Sequence, residues 1–499
     1  MQFRLAALAV LVPLILAAQN LKDFEKKVTE FTLPNGLHFI VVERHEAPAV
    51  SFHTRVNAGS VNDPAGQAGM ARMLERMAFK GTESVGSVDW PSEKKALDAI
   101  EEIYDRIDAE RNRGPLASEG KIGGIETQLR MAIDSAQAFA APNPYWGIIE
   151  ANGGVALKAA ASPDATEYSC SLPSNRIELW FLMESQRFLN PVFRDFYKER
   201  SALMEENRAR LETDAQAHLL QELLSTAFEA HPYRNPSGGW PGDLAALRAS
   251  EARRFFQEYF VAANVSITLA GDINPAEARR LADRYFGPMP ARPLPPAVHT
   301  SEPPQPGPKT AAVIGAGQPM AFIGYKRPDQ YDPDSAVYDV MQLLLSEGPS
   351  GLLYKNLVEG SRISLAAQSV SAVPAARYPG LFAFFLVPSP GHTVEENEKA
   401  LNDLLARIQQ DGVAEAALAR AKTQAHAAVV RRLATNAGLA ALFTTFHANF
   451  GDWRRLFTSL DDIDKVTLLD IQRTAQRCFV PVNRTLAYAV AGQPRGDRQ

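Results

Sequence analysis

Three charged residues of one short segment, Arg72, Glu75 and Arg76, have the spacing needed to act together. At i, i+3 and i+4 they lie on one face of a helix, and the apolar residues between them predict a helix within 69–82. Guanidinium and carboxylate groups at this spacing form salt bridges. Because arginine has no lone pair to give a metal ion, these residues alone predict an ion-paired helix face.

The same segment has the frame of a zinc-peptidase motif. With histidine at positions 72 and 76 it would read His-x-x-Glu-His, in which two imidazoles bind zinc and the glutamate takes a proton from the metal-bound water. Arg72 and Arg76 stand at the ligand positions, and Glu75 keeps the general-base position. The segment therefore predicts the scaffold of a zinc site that has lost its metal chemistry.

Length and composition place the chain among ordinary globular proteins. It has 499 residues, 46% of them hydrophobic, so two or more domains with substantial cores fit within it. The formal charge of −5 gives no electrostatic reason to expect a nucleic-acid partner.

The first eighteen residues have the pattern of a secretory signal peptide. Arg4 precedes an apolar run over 5–16, which is too short to span a bilayer, and small residues follow at 17–18. A buried N-terminal helix is the alternative. No later stretch is apolar enough for a transmembrane helix, so we expect an exported, soluble protein, periplasmic or secreted. Cys170 and Cys478 are expected to be two separate buried thiols, with a disulfide as the alternative.

The order of patterns along the chain predicts a mixed fold. Strands are expected over 31–42 and 50–57, a helical hairpin over about 88–143, a strand entering a turn over 153–168 and a long helical region over 174–213. Nine prolines between residues 287 and 308 indicate a stiff linker over 288–310. We therefore predict an N-terminal domain over 28–287 and a C-terminal domain over 311–492.

The two halves end in the same pattern, which indicates an internal duplication. Phe260-Val-Ala-Ala-Asn264 and Phe479-Val-Pro-Val-Asn483 each follow a helical pattern and precede an apolar strand that ends at glycine.

Taken together, these motifs resemble the pitrilysin and insulysin family of zinc peptidases, especially its two-domain bacterial and mitochondrial-processing branch. The resemblance covers residues 28–492 and implies an α/β (α+β) fold of two homologous sheet-plus-helix domains that enclose a chamber like a clamshell. Besides 69–82 it rests on the order of Gly153-Gly, Ser162-Pro-Asp-Ala-Thr-Glu-Tyr168, Asn190-Pro-Val-Phe, Phe196-Tyr-Lys-Glu-Arg, Glu205-Glu-Asn-Arg, His231-Pro-Tyr233, Gly271-Asp, Tyr285-Phe-Gly287, Leu345-Ser-Glu-Gly-Pro-Ser350 and Leu353-Tyr-Lys-Asn-Leu-Val358.

The resemblance also assigns roles to carboxylates outside the helix. It implies that Glu206 occupies the third zinc-ligand position, with Glu205 as the alternative one register away, and that Glu199 is the supporting acid. Two arginines would restore the positive charge of a lost zinc ion. We therefore expect Arg72 and Arg76 to form a salt-bridge cluster with Glu75, Glu206 and Glu199, the alternative being arginines that point into solvent.

The substrate-binding positions that the family implies are altered as well. Lys158 stands where the family has an asparagine on the substrate-facing strand edge, Leu352 where it has an arginine, and Ala367 near the position of a tyrosine. The nine histidines contain no His-x-His or His-x-x-x-His pair that could chelate a metal locally, which leaves open only a site built from distant residues.

The leading hypothesis is a pseudopeptidase: a non-catalytic subunit that forms the chamber with, or stabilises, an active sibling in a heterodimer, without zinc. A homodimer is an alternative assembly. A second hypothesis is a metal-free peptide-binding or chaperone-like clamshell that holds peptide or unfolded protein. An active peptidase with an atypical metal site comes last.

Overall fold

Two β-sheets, one in each half of the chain, form the framework of the molecule. The computed structural model describes residues 24–141, 144–315 and 317–491, so the predicted signal peptide lies outside the described residues. The strands are β1 (Val28–Thr32), β2 (His38–Glu43), β3 (Ala49–Val56), β4 (Val155–Ala161), β5 (Thr166–Pro173), β6 (Val265–Gly271), β7 (Lys309–Gly315), β8 (Met320–Arg327), β9 (Ser364–Val373), β10 (Gly380–Pro388) and β11 (Arg484–Ala491). The first sheet has the strand order β1-β2-β6-β3-β5-β4 and the second the order β7-β11-β8-β10-β9.

The two sheets have the same topology, which confirms the predicted duplication. Apart from β1, the order β2-β6-β3-β5-β4 repeats as β7-β11-β8-β10-β9. In each, the first two of these strands are parallel and the other pairs are antiparallel. The repeated Phe-Val-x-x-Asn segments lead through short 3₁₀ turns into β6 and β11, the strands that close each half.

Helices pack on both sheets and include the predicted hairpin, formed by α2 (Trp90–Arg111) and α3 (Glu119–Gln137). The predicted helical region over 174–213 contains two long helices, α5 (Ile177–Leu189) and α6 (Phe196–Thr213), because the first helix ends before Asn190-Pro191, where proline disfavours a continuous helix. The N-terminal helices are α1 (Met70–Met77), α2 (Trp90–Arg111), α3 (Glu119–Gln137), α4 (Pro144–Ala151), α5 (Ile177–Leu189), α6 (Phe196–Thr213), α7 (Ala215–Ala227), α8 (Pro241–Ala246), α9 (Ala249–Tyr259) and α10 (Pro275–Phe286). The C-terminal helices are α11 (Ser335–Ser346), a π-helical segment (Tyr354–Gly360), α12 (Val394–Asp411), α13 (Glu415–Leu433), α14 (Asn436–Phe450), α15 (Arg455–Lys465) and α16 (Leu468–Cys478).

Each half also packs one of its helices on the sheet of the other half, so that α7 and α14 are exchanged between the halves. The apolar face of α7 joins a core with Phe322 and Ala487 of the second sheet. The apolar face of α14, including Phe443, packs on Ile40 and Ala270 of the first sheet. Because burial of these faces needs residues from both halves, the packing of the halves on each other is part of the hydrophobic stabilisation of each sheet.

Two further sequence-based expectations concern the thiols and the membrane. Cys170 and Cys478 are free, buried thiols in separate cores, so the disulfide alternative is wrong. Across the described residues, no helix combines the length and the apolar character needed to cross a membrane.

Burial of His53 between the first sheet and the C-terminal helices predicts a pH-dependent stability. Burial, reinforced by the positive charges of Arg55 and Arg432, lowers the pKa of His53 to about 4. Below about pH 6.5 the unfolded chain binds a proton at this residue that the folded chain does not, so stability falls as the pH falls from 6.5 towards 4. The expected loss from this residue is up to about 3 kcal/mol. Urea unfolding at pH 7 and pH 4.5 should show a smaller loss in His53→Gln than in the wild type, whereas His299→Gln, at an exposed position, should match the wild type.

Candidate functional site

Helix α1 is held in place by its apolar face and by the loop before it. Met70, Met73 and Leu74 are buried in the main core, and this leaves the arginine positions on the other face. Gly69 begins the helix with a φ of 99°, where a Cβ would also lie 2.7 Å from Leu244. The carboxylate of Asp63 accepts hydrogen bonds from the backbone N–H groups of residues 69 and 71, at 2.7 and 2.9 Å. The start of the helix is therefore fixed by backbone geometry and by the part-buried carboxylate of Asp63.

The outward face of α1 forms an ion-paired cluster with α6, which we call the Arg–Glu cluster: Arg72, Glu75, Arg76, Glu199 and Glu206. Arg72 pairs with Glu75, and its Nη2 lies 3.3 Å from Glu206 Oε1. Arg76 reaches Glu206 Oε2 through Nη1 and Glu199 Oε2 through Nη2, both at 2.8 Å. The predicted salt bridges are thus present, and the arginines do not simply point into solvent.

Glu206 bridges the two arginines, whereas its neighbour does not. Glu199 and Glu206 are seven residues, or two turns, apart on α6, so both face α1. Glu205 points elsewhere and pairs with the exposed Arg208. Of the two registers that the sequence left open for the third ligand position, the structure places only Glu206 beside both arginines.

Lys80 is a member of this constellation that the sequence did not reveal. Its Nζ lies 2.6 Å from Glu199 Oε1 and 3.8 Å from Asp195 Oδ2. The i, i+4 spacing from Arg76 was the available signal, but Lys80 lies beyond the end of α1, where helical spacing no longer predicts direction. Three cations therefore face the three glutamates of the cluster.

The two inner carboxylates differ in their electrostatics. Burial raises the pKa of Glu75, and the neighbouring Arg72 and Arg76 only partly oppose this. Burial would also raise the pKa of Glu199, but hydrogen bonds and charge from Lys80 and Arg76 outweigh it and hold that pKa below its usual value. Of these two carboxylates, Glu199 is therefore the one that the surrounding cations hold in its ionised form.

A buried ion pair lies beneath the end of α1. Arg194, only 3% exposed, pairs with the fully buried Glu93 of α2, with Nη2 and Oε2 2.9 Å apart. The same guanidinium donates to backbone carbonyls of the loop that follows α1, including that of Thr82 at 3.2 Å. Arg194 thereby ties α2, the loop and the start of α6 together and fixes the distance between the two helices of the cluster.

Two protein-family models match this chain, one near its N-terminus and one that extends into its C-terminal half. A family model described as Insulinase (Peptidase family M16) matches residues 39–99, which include α1. A second, described as Peptidase M16 inactive domain, matches residues 246–425. The chain belongs to the insulinase family.

Relatives of the full length and solved structures agree with this. Zinc protease PqqE of Helicobacter pylori is 23% identical over 495 residues, which are 96% of each chain. The crystal structure of a protease from Helicobacter pylori superimposes with a TM-score of 0.78 at 21% identity and covers 93% of this chain and 99% of that one. The periplasmic protease PqqL from Escherichia coli gives a TM-score of 0.67 at 16% identity, with 93% of this chain covering only 48% of the other.

In this insulinase-family chain the residues at the predicted metal position do not fit a zinc ion. Arg72 and Arg76 have no lone pair, and their guanidinium groups occupy the space between Glu75 and Glu206. This arrangement therefore supports no zinc-dependent catalytic step.

The three positions assigned to substrate binding lie in different surroundings. Lys158 is exposed on β4, the edge strand of the first sheet, against which α1 packs. Ala367, 8% exposed, and the partly buried Leu352 instead pack into the core of the second half. Neither of these two side chains is placed to touch a peptide, and Gln368 is the exposed neighbour on β9. Their assignment to the family's substrate-holding positions stays a prediction.

Proposed function

We propose that this chain is a non-catalytic subunit of an exported insulinase-family peptidase complex, in which it completes the chamber with an active sibling or stabilises it. One observation carries the proposal: the carboxylate at the general-base position is ion-paired to an arginine at a ligand position. Glu75 has no metal-bound water to deprotonate, because Arg72 and Arg76 cannot hold the metal that would lower the pKa of that water. The scaffold around them is complete, and this favours a structural role.

The partner we propose is a sibling with an intact His-x-x-Glu-His motif. The size of the Escherichia coli protease supports a paired arrangement, because a unit of the present size matches only 48% of that chain. Pairing with a second copy of this chain is the other assembly. Export is proposed from the signal-peptide pattern and from the periplasmic relative.

A metal-free peptide-binding role is the second candidate, favoured by the surface beside the cluster. β4 is an edge strand of the first sheet and has exposed residues. The backbone groups on its outer side can therefore pair with an extended peptide. A cavity of about 490 Å³ opens beside the Arg–Glu cluster, and its lining includes Arg76, Lys80, Trp146, Lys198, Asp195 and Glu199.

Cleavage assays on the isolated mature chain test the proposal. We expect no peptide hydrolysis, no effect of added zinc and no difference between the wild type and Glu75→Gln. Addition of the chain to a sibling that contains His-x-x-Glu-His should raise the activity or the melting temperature of that sibling through a stable complex. Hydrolysis by the isolated chain that a chelator and Glu75→Gln both abolish would refute the proposal. Saturable peptide binding without any sibling complex would favour the second candidate.

A further inference from the structure

Three side chains of types that ligate metal ions lie together on the other face of the first sheet. Glu30 of β1, His38 of β2 and His447 of α14 each offer one ligand atom, and these three atoms lie within 4.8 Å of one another. Residues of β2 alternate between faces: Phe39 and Val41 point to the main core, which holds α1, whereas Ile40 packs on α14. His38 therefore lies on the α14 side, with the sheet between it and the Arg–Glu cluster.

Two ring nitrogens in this group are buried and unsatisfied. Among the residues that the structure describes, neither His38 Nε2 nor His447 Nδ1 has a hydrogen-bond partner. The nearest carboxylate oxygen to His38 Nε2 is Glu30 Oε2, 3.6 Å away. A buried nitrogen without a partner costs free energy, and a cation bound to it would remove that cost.

The hydrogen bonding of His38 suits a metal ligand. His38 Nδ1 lies 2.9 Å from Thr32 Oγ1. A proton on Nδ1 donated to this hydroxyl leaves the lone pair on Nε2, which is the second-sphere pattern of metal-bound histidines.

We propose that Glu30, His38 and His447 form a binding site for a borderline transition-metal dication, with zinc as the ion to test. Two imidazoles and one carboxylate are a donor set that zinc takes in proteins, with water in the fourth position. Arg454 Nη1 lies 2.8 Å from Glu30 Oε1 and so leaves Oε2 for the ion while it orients the carboxylate.

One local change is needed for the ion to bind. The two imidazoles are stacked, with centroids 3.8 Å apart and an angle of 5° between their planes. Each lone pair lies in the plane of its own ring, so one ion cannot lie in both planes at once. Rotation of one ring about χ2, a torsion with a broad energy profile, is the change by which the two ring nitrogens would come to face the same ion.

The site would join the two halves of the molecule. Its ligands come from the first two strands of the N-terminal half and from the helix that the C-terminal half lends to the first sheet. A bound ion stabilises the folded state that holds it, so zinc should raise the melting temperature of the whole chain.

Calorimetric titration of zinc chloride into the metal-stripped mature chain at pH 7.5 tests the site. We expect saturable binding of one equivalent and a higher melting temperature. His38→Ala and His447→Ala should each weaken binding by at least about 100-fold, since even second-sphere changes cost about 10- to 100-fold. His426→Ala is the matched control, because it removes a part-exposed histidine that pairs with Asp464 elsewhere on the C-terminal half.

Glu30→Gln tests the site even if the alanine variants misfold. It keeps the size of the side chain and removes the charge, and it should also weaken zinc binding while the metal-free chain melts as a folded protein. Absence of one-equivalent binding in the wild type would overturn the proposal. Equal binding in the wild type and the three ligand variants would also overturn it, because zinc would then be held by other surface groups. Both outcomes are independent of whether the chain cleaves peptides, so the zinc site and the proposed function can fail separately.

Discussion

Replacement of Arg194 by methionine should lower the free energy of unfolding by about 3–5 kcal/mol, the cost of leaving a buried carboxylate without its partner. Arg194 is the partner of Glu93, which is fully buried, and it also satisfies backbone carbonyls in the loop after α1. Methionine fills much of the same volume but offers no donor to either set of acceptors. The loss should therefore come from electrostatics and hydrogen bonding, with little contribution from packing.

Urea unfolding at pH 7 measures this effect, and two variants define its origin. Arg208→Met removes an arginine that pairs with exposed Glu205 and Glu212 on α6, and it should change stability by no more than about 0.5 kcal/mol. The double variant Arg194→Met with Glu93→Met should recover most of the loss, because it no longer buries an unpaired charge. A loss below about 1 kcal/mol in the single variant would show that water or another cation reaches Glu93.

The sequence predicted what local spacing determines. The i, i+3, i+4 pattern of Arg72, Glu75 and Arg76 placed them on one helix face. The family resemblance assigned Glu199 and Glu206 to the same site, and the structure shows that their two-turn separation on α6 turns both towards α1. The repeated Phe-Val-x-x-Asn segments predicted two related halves, and the matching strand orders confirm them.

Contacts between residues far apart in the chain were not predicted, and the reason is physical. Glu93 and Arg194 are 101 residues apart, and nothing in either neighbourhood specifies the other. The exchange of α7 and α14 depends on which apolar faces meet after folding, since an amphipathic helix buries its face against any suitable core. His38 and His447 come together only through that exchange. The break at Asn190-Pro191 was visible as a proline, but the apolar pattern on both sides favoured one continuous helical region.

Restoration of histidine at both ligand positions should give the Arg–Glu cluster a zinc site. In Arg72→His with Arg76→His, two imidazoles one turn apart would replace the guanidiniums, and Glu206, which already bridges both positions, would supply the third ligand. Glu199, held by Lys80, would remain to orient a ligand from outside the first coordination sphere. We expect one zinc equivalent to bind at least about 100-fold more tightly than at the same positions in the parent, because the parent has no nitrogen lone pair there.

The measurement is best made in a His447→Ala background, so that the site proposed on the other face of the sheet does not contribute. Glu206→Ala added to the double variant should remove the zinc, whereas Glu205→Ala should leave it bound, because Glu205 pairs with Arg208 away from the cluster. Peptide cleavage is not expected to return with the metal, since Leu352 and Ala367 pack into the second core and present no donor to a substrate. A folded double variant that binds no zinc would mean that α1 and α6 have moved apart from metal-ligand distance. In that case the arginines hold the two helices at a separation that only side chains of their length can span.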